Sequence, residues 1–190
     1  MTEIKLHGYY PGVVGKITEI HAVFYNENWG FDVSFETQVG SELSEFIRKF
    51  DRSRDGLWVA TKDGIFAGSV AIDGQNAHTD GARLRWFIVA PEFQNAGIGK
   101  KLISMAVEFC KKKNYPKVFL WTFEGLDPAR RLYELEKFRL SEVHDVDQWG
   151  QRIKEQKFEL ILTGTIRRRR TKPAKIEEES DDAKGRRENR

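Results

Sequence analysis

The feature that most restricts this chain is an abrupt change of hydrophobic rhythm around residue 90. Arg83-Leu84-Arg85-Trp86-Phe87-Ile88-Val89 has the apolar and aromatic content of a strand, and Ala90-Pro91 ends it. Gln94-Asn95-Ala96-Gly97-Ile98-Gly99-Lys100 then leads into a helix whose apolar members, Ile98, Leu102, Ile103, Ala106 and Phe109, share one face. Lys111, Lys112 and Lys113 close that helix, where positive charge suits the helix dipole. Val118-Phe119-Leu120-Trp121 follows as a short continuous apolar run, as expected of a buried strand. Strand, helix and strand in this order form a βαβ unit and place the chain in the α/β (α+β) class.

The flanking segments complete the pattern. Val13, Val14, Ile17, Ile20 and Phe24 recur at helical spacing, and Val39, Leu43, Phe46, Ile47 and Phe50 do so again after Asp32, an N-cap candidate. The two helices meet at Trp29-Gly30. Leu57–Thr61 and Ile65–Ile72 flank Lys62-Asp63-Gly64, where Asp-Gly supplies the positive φ angles of a tight hairpin, and with the strand over Ala82–Val89 they make a meander. Asp127-Pro128 reads as a helix start, with Asp127 as cap, continued by Leu132, Tyr133 and Leu135. Phe138–Val146 and Arg152–Leu162 read as two closing strands around Asp147-Gln148-Trp149-Gly150. No internal repeat is present.

With 190 residues, 39% of them hydrophobic, the chain can bury a real core. No run approaches the roughly 20 apolar residues of a membrane span, and Met1–His7 lacks the apolar stretch of a secretory signal, so a cytoplasmic protein without membrane partners is expected. Cys110 has no disulfide partner, and His7, His21, His78 and His144 show no zinc-ligand spacing, so no metal is expected. The net charge of +3 is uneven: residues 165–190 hold ten basic and six acidic residues, leaving 22 against 23 in the remainder. Nucleic-acid binding is therefore not expected except through this end, which includes the four arginines Arg167–Arg170. Having almost no apolar residues, 165–190 is expected to be a charged, disordered tail on a domain spanning 1–164.

Gly97-x-Gly99 at the mouth of a helix invites phosphate-binding readings. A dinucleotide fingerprint needs a third glycine where Leu102 stands, and a P-loop needs a glycine where Gln94 stands and Ser or Thr after Lys100. Both fail. The remaining motif, Gln94-x-x-Gly97-x-Gly99, offers two glycines that let the backbone approach an anion and the free N–H groups of a first helical turn.

In this motif and its context the sequence resembles the GNAT superfamily of acyl-CoA N-acetyltransferases, whose signature is Gln/Arg-x-x-Gly-x-Gly/Ala between strand and helix. The likeness spans roughly residues 7–163, and through His21-x-x-x-Tyr25, Trp29-Gly30-Phe31-Asp32, Leu57-Trp58-Val59-Ala60 and Leu120-Trp121-Thr122 it is greatest to acetyltransferase domains fused to MarR-type regulators. No such DNA-binding domain is expected in this chain. Two positions depart from the pattern: Lys137 stands before Phe138 where relatives commonly have Gly, and Leu126 stands where many have Asn.

The resemblance implies a mixed sheet of about six to seven strands flanked by four helices, and transfer of an acetyl group from acetyl-CoA to an amine by direct attack. It implies that the pantetheine arm lies along the strand at Phe87, Ile88 and Val89, and that the pyrophosphate sits on Gln94, Asn95, Ala96, Gly97, Ile98, Gly99 and Lys100. Tyr133 would protonate the departing thiolate. For the general base the Arg83–Val89 strand offers no carboxylate, so Glu124 is the first candidate, followed by Glu27, His21 or a water relay. His21, Tyr25, Glu27 and Trp29 are candidates for the acceptor side, where His21 can equally be a satisfied core residue and Tyr25 and Trp29 can simply cap the first helix. A CoA-binding module without catalysis is the alternative, as is tail-mediated binding of nucleic acid or an acidic protein. Assembly of two copies is left open.

Overall fold

The computed structural model describes residues 4–162. The elements run β1 (Ile4–His7), α1 (Val13–Trp29), α2 (Val33–Arg48), β2 (Gly56–Lys62), β3 (Ile65–Asp73), β4 (Ala82–Val89), α3 (Ile98–Lys112), β5 (Lys117–Phe123), α4 (Asp127–Leu135), β6 (Arg139–Gln148) and β7 (Gln151–Ile161). They form one seven-stranded sheet ordered β1-β2-β3-β4-β5-β7-β6. Every neighbouring pair is antiparallel except β4 and β5, the crossover pair joined by α3. The expected α/β class, sheet and four helices are all present. The tail expected over 165–190 lies outside the described residues.

Each face of the sheet carries its own core. Ile98, Leu102, Ile103 and Ala106 of α3 pack on Ala67, Val70 and Leu84 of the sheet, and the cluster continues through Tyr133, Phe138 and Phe158. On the other face, α1 contributes Val13 and Ile17 and α2 contributes Phe35, Val39, Leu43 and Phe46, set against Val59, Ala71, Trp86 and Phe123. The spacing of the α2 residues is the reason this segment is a helix: they form one apolar stripe, and burial of each is worth roughly 1.5–3 kcal/mol. Asp32 caps α2 as expected, accepting the Ser34 N–H at 2.9 Å. Cys110 is buried and free, and burial pushes its thiol up to about 12, which leaves it inert.

The structure differs from the sequence reading at chain ends and turns. Strand β1 was not anticipated; only four residues long, it is defined by its pairing of Ile4–His7 with Val59–Lys62 rather than by a pattern of its own. The cap of α4 is Leu126, with Asp127 already inside the first turn. At the other end of α4, Lys137 adopts φ +70, the left-handed conformation for which glycine would serve, and the Phe138 N–H bonds the Tyr133 carbonyl at 3.0 Å. Lys137 thus takes the conformation that a glycine would adopt in this turn. Strand β6 begins at Arg139, because Phe138 is turned wholly into the core.

Candidate active site

Strand β4 is irregular on both edges. Toward β3, Ser69 pairs with Ile88 while Ala71 pairs with Arg85, so β4 carries one extra residue across this stretch. Trp86 absorbs the bulge at φ +46, an expensive conformation for a bulky side chain. The Ser69 hydroxyl donates to the Trp86 carbonyl at 2.8 Å and satisfies it where the ladder is disrupted. Toward β5, β4 keeps only the pairs Ala82 with Val118 and Arg83 with Phe119. Beyond Arg83 the two parallel strands separate, and the β5-facing edge of β4 has no strand partner.

Helix α3 begins beside the end of β4. Gly97 is its N-cap at φ +78 with no side-chain cap, and its carbonyl accepts the Lys101 N–H at 3.1 Å. The N–H groups of Ile98, Gly99 and Lys100 therefore lack helical partners. No acidic residue occupies the first turn, and Lys100 and Lys101 are exposed there, against the sense of the helix dipole. An anion removes that conflict. Gln94 donates its backbone N–H to Pro91 at 3.2 Å and its side-chain amide to the Val89 carbonyl at 3.4 Å, tying the loop to the strand end.

The two glycines of the motif do different things. A Cβ on Gly97 would meet no atom within 4 Å, so this backbone is open to a ligand. On Gly99 it would lie 2.9 Å from Leu132 Cδ1 and 3.4 Å from Val89 Cγ2. Gly99 instead packs closely against α4 and β4, where a Cβ would press on the movable end of Leu132, so that only Gly97 presents open backbone.

Between the separated strands lies a cleft of about 240 Å³. Its walls are aromatic, with Tyr25 and Phe35 from the early helices, Trp86 from β4, Trp121 and Phe123 from β5, and Trp149 from the tip of the β6–β7 hairpin. That tip is a two-residue turn with both Trp149 and Gly150 at positive φ, 54° and 75°. Trp149 is held there by packing on Phe31 and Phe35, ring centroids 5.0 and 4.9 Å away, and by donating Nε1–H to Gln38 at 2.8 Å.

Tyr133 of α4 reaches the same cleft from the α3 side. It is 5% exposed, packs on Phe87, and makes no side-chain hydrogen bond among the described residues; burial pushes its hydroxyl up, so it remains protonated. His21 lines the cleft and is also satisfied: Nδ1 bonds the Ile17 carbonyl at 2.7 Å, and burial lowers its pKa to about 4. It is a neutral imidazole whose Nε2 is an acceptor, a satisfied core residue that also borders the cleft.

The other candidates separate. Tyr25 lines the cleft, whereas Trp29 packs behind it on Tyr25 and Phe123. Glu27 is exposed on α1 and lies outside the lining. Glu124 is not brought to the cleft either: Phe123 takes the inward position, and Glu124 turns to solvent with a 63% exposed side chain 3.9 Å from Lys154 Nζ. Leu126, at the Asn position of many relatives, lines the cleft with no polar group to offer. Sequence reasoning missed Arg83, Gln148, Trp149 and Glu155 as lining residues. The one local signal was Trp149 beside Gly150 in a turn, an aromatic residue where a small polar one is usual.

A strand that splays from its parallel neighbour, an open helix N-terminus at its end and an aromatic cleft on the far side suit a long anionic thioester threaded through the sheet. This is the arrangement of an acyl-CoA-dependent N-acetyltransferase. The chain belongs to the acetyltransferase (GNAT) family, whose profile matches residues 16–138. An uncharacterized N-acetyltransferase of Archaeoglobus fulgidus is 33% identical over 124 residues, covering 58% of this chain and 84% of the relative. One from Schizosaccharomyces pombe is 28% identical over 123 residues, covering 62% and 72%. Among solved structures, a candidate acetyltransferase of Salmonella typhimurium with its cofactor acetyl-CoA superposes with a TM-score of 0.65 at 13% identity, covering 86% of this chain and 96% of that one. The protein is an N-acetyltransferase of this family. No helix among the described residues is long and apolar enough to cross a membrane.

Proposed function

We propose that the protein acetylates a small amine that enters the aromatic cleft, by direct attack on acetyl-CoA. The observation that carries this reading is the separation of β4 from β5 beyond Arg83, which leaves the edge of Phe87–Val89 unpaired between the α3 N-terminus and the cleft. On this reading the backbone of Phe87, Ile88 and Val89 holds the pantetheine arm and polarises the thioester carbonyl. The Gln94–Lys100 loop holds the pyrophosphate, chiefly through the N–H groups of Ile98, Gly99 and Lys100. Tyr133, neutral and buried beside Phe87, protonates the leaving thiolate. Tyr25 and His21 face the amine. Of the proton acceptors considered from sequence, His21 and water have access to the cleft, whereas Glu27 and Glu124 stand outside it. The residues His21, Tyr25 and Trp29–Asp32 support a likeness to the MarR-fused domains, and the protein is proposed to act in the cytoplasm.

Thiol release from acetyl-CoA with a panel of amines tests this. Free CoA should appear faster with at least one amine than without any. Gly97→Glu should remove both this activity and the thermal stabilisation given by CoA, through bulk and like charge at an open site. Stabilisation by CoA with no amine-dependent thiol release would make the protein a CoA-binding module.

A further inference from the structure

Among the described residues, every buried or half-buried charged side chain has a hydrogen-bond, ion-pair or aromatic-ring partner, Lys62 through the Phe93 ring alone, except for two that share the cleft. Asp55, 4% exposed, accepts the Gly74 N–H and the Asp51 N–H at 2.9 Å each and Arg54 Nε at 3.3 Å. Arg85 pairs with Glu42, lies 3.8 Å from Asp73, and stacks over Trp86 at 4.1 Å. Arg83 of β4 and Glu155 of β7 are half-buried and line the cleft, yet neither takes part in a side-chain hydrogen bond or ion pair among the described residues. Taking a guanidinium and a carboxylate partly out of water without direct partners is costly, and a ligand bearing the opposite charges would offset that cost.

Both side chains rise from the same face of the sheet. Glu155 sits opposite Phe123, which belongs to the core beneath α1 and α2, and Arg83 alternates with Leu84, which belongs to the core beneath α3. Their attachment points flank β5 at Phe119 and Phe123, four residues apart and so on the order of 13 Å along the strand. With both side chains lining the cleft of about 240 Å³, that span leaves room for a small molecule, and not merely a water, between them. The groups facing Glu155 are Arg83 from β4 and His144 from β6, while β5 presents the apolar Phe123; burial raises the Glu155 pKa, as suits a proton acceptor. Burial lowers that of Arg83, which nonetheless stays charged.

We infer that the acceptor is an α-amino acid with an apolar or aromatic side chain, whose carboxylate pairs with Arg83, whose amine faces Glu155, and whose side chain lies on the aromatic walls. This rests on the acetyltransferase reading above. In the reaction the ammonium loses one proton to the Glu155 carboxylate, and the resulting amine forms the N–C bond to the acetyl carbon as the C–S bond breaks. The thiolate takes the Tyr133 hydroxyl proton, and Tyr133 regains one from the acylated nitrogen, so CoA thiol and N-acetyl product leave with one proton on Glu155 to return to water.

The test compares phenylalanine and leucine with their amides and with their decarboxylated amines, by amine-dependent CoA release. For the unmodified protein, kcat/KM should favour at least one free amino acid over both of its counterparts by about tenfold or more, because a site built for a charged group rejects analogues that leave it unpaired. Arg83→Met should collapse that ratio toward one, mainly through KM. Glu155→Gln should lower kcat, with Glu155→Asp restoring part of it. Equal or greater activity on the decarboxylated amines, or a ratio unchanged in Arg83→Met, overturns the inference while leaving the acetyltransferase intact. Calorimetric binding of phenylalanine or leucine in the presence of CoA gives the separate readout. Binding that Arg83→Met abolishes, without transfer to any amine, would sustain the amino-acid site and overturn the catalytic reading.

Discussion

The two mouths of the proposed site, the open α3 N-terminus and the aromatic cleft, are built from different materials. On the proposed reading, the recognising groups on the α3 side are backbone N–H donors at Ile98, Gly99 and Lys100, presented by one contiguous loop, with the side chains of Asn95, Ala96 and Lys100 exposed. On the α1/α2 side they are side chains, drawn from α1, α2, β4, β5, β6 and β7. A backbone device must keep its shape and tolerates little else, whereas a side-chain pocket can change its ligand with one substitution. The first mouth suits a donor that is invariant across a family, and the second an acceptor that is not.

Three experiments probe this division, beginning with the largest effect. Tyr133→Phe removes one hydroxyl where the mouths join, so kcat should fall by about 10²–10⁴-fold, as for loss of a proton-transfer group, while the Kd for CoA barely moves. Single-turnover kinetics with CoA binding measured alongside would expose an equal loss in both, which would make Tyr133 structural.

Second, the acceptor mouth should be the acid-sensitive one. His21 is held near pKa 4 when folded but near 6.5 when unfolded, so the unfolded chain binds the extra proton between these values. Its stabilising contribution is complete above pH 6.5 and is lost as pH falls toward 4, up to roughly 3 kcal/mol. Chemical denaturation across that window should show the loss, and His21→Gln should flatten it.

The smallest contrast lies within the donor mouth. Gly99→Ala sets a methyl against the movable end of Leu132, and the small cost of turning that side chain aside should be offset by the roughly 0.4–1 kcal/mol gained on replacing a helical glycine, for a net change near zero. Gly97→Ala meets open space but should cost about 1 kcal/mol, from its positive φ. Equal shifts in denaturation midpoint would remove the distinction between the two glycines.

The same division governs what could be read from the amino acids alone. The donor loop was legible because its residues are consecutive and its glycines sit between two elements of different period. The meander was legible for a like reason, since Asp63-Gly64 adopts the expected positive φ angles of 53° and 80°. Arg83 and Glu155 were not legible, because nothing in their neighbourhoods of sequence distinguishes them from the exposed charges of other strands; only the pairing of β5 with both β4 and β7 brings them to one cavity. Glu124 illustrates the converse. Its place at a strand end suggested an inward carboxylate, but the apolar Phe123 took the inward position. The packing value of Gly99 likewise depends on Leu132, far along the chain, and could not be seen in the motif.

The placement of Trp149 on its hairpin turn has an optical consequence. The chain has five tryptophans, and three of them, Trp86, Trp121 and Trp149, line the acceptor mouth. Trp29 is in ring contact with the same aromatic cluster, and only Trp58 stands on the opposite face, against Phe109. Ultraviolet emission from this protein therefore originates mostly around one cavity. Replacing Trp58 with Phe would leave a molecule whose intrinsic fluorescence reports occupancy of the acceptor mouth without any added dye.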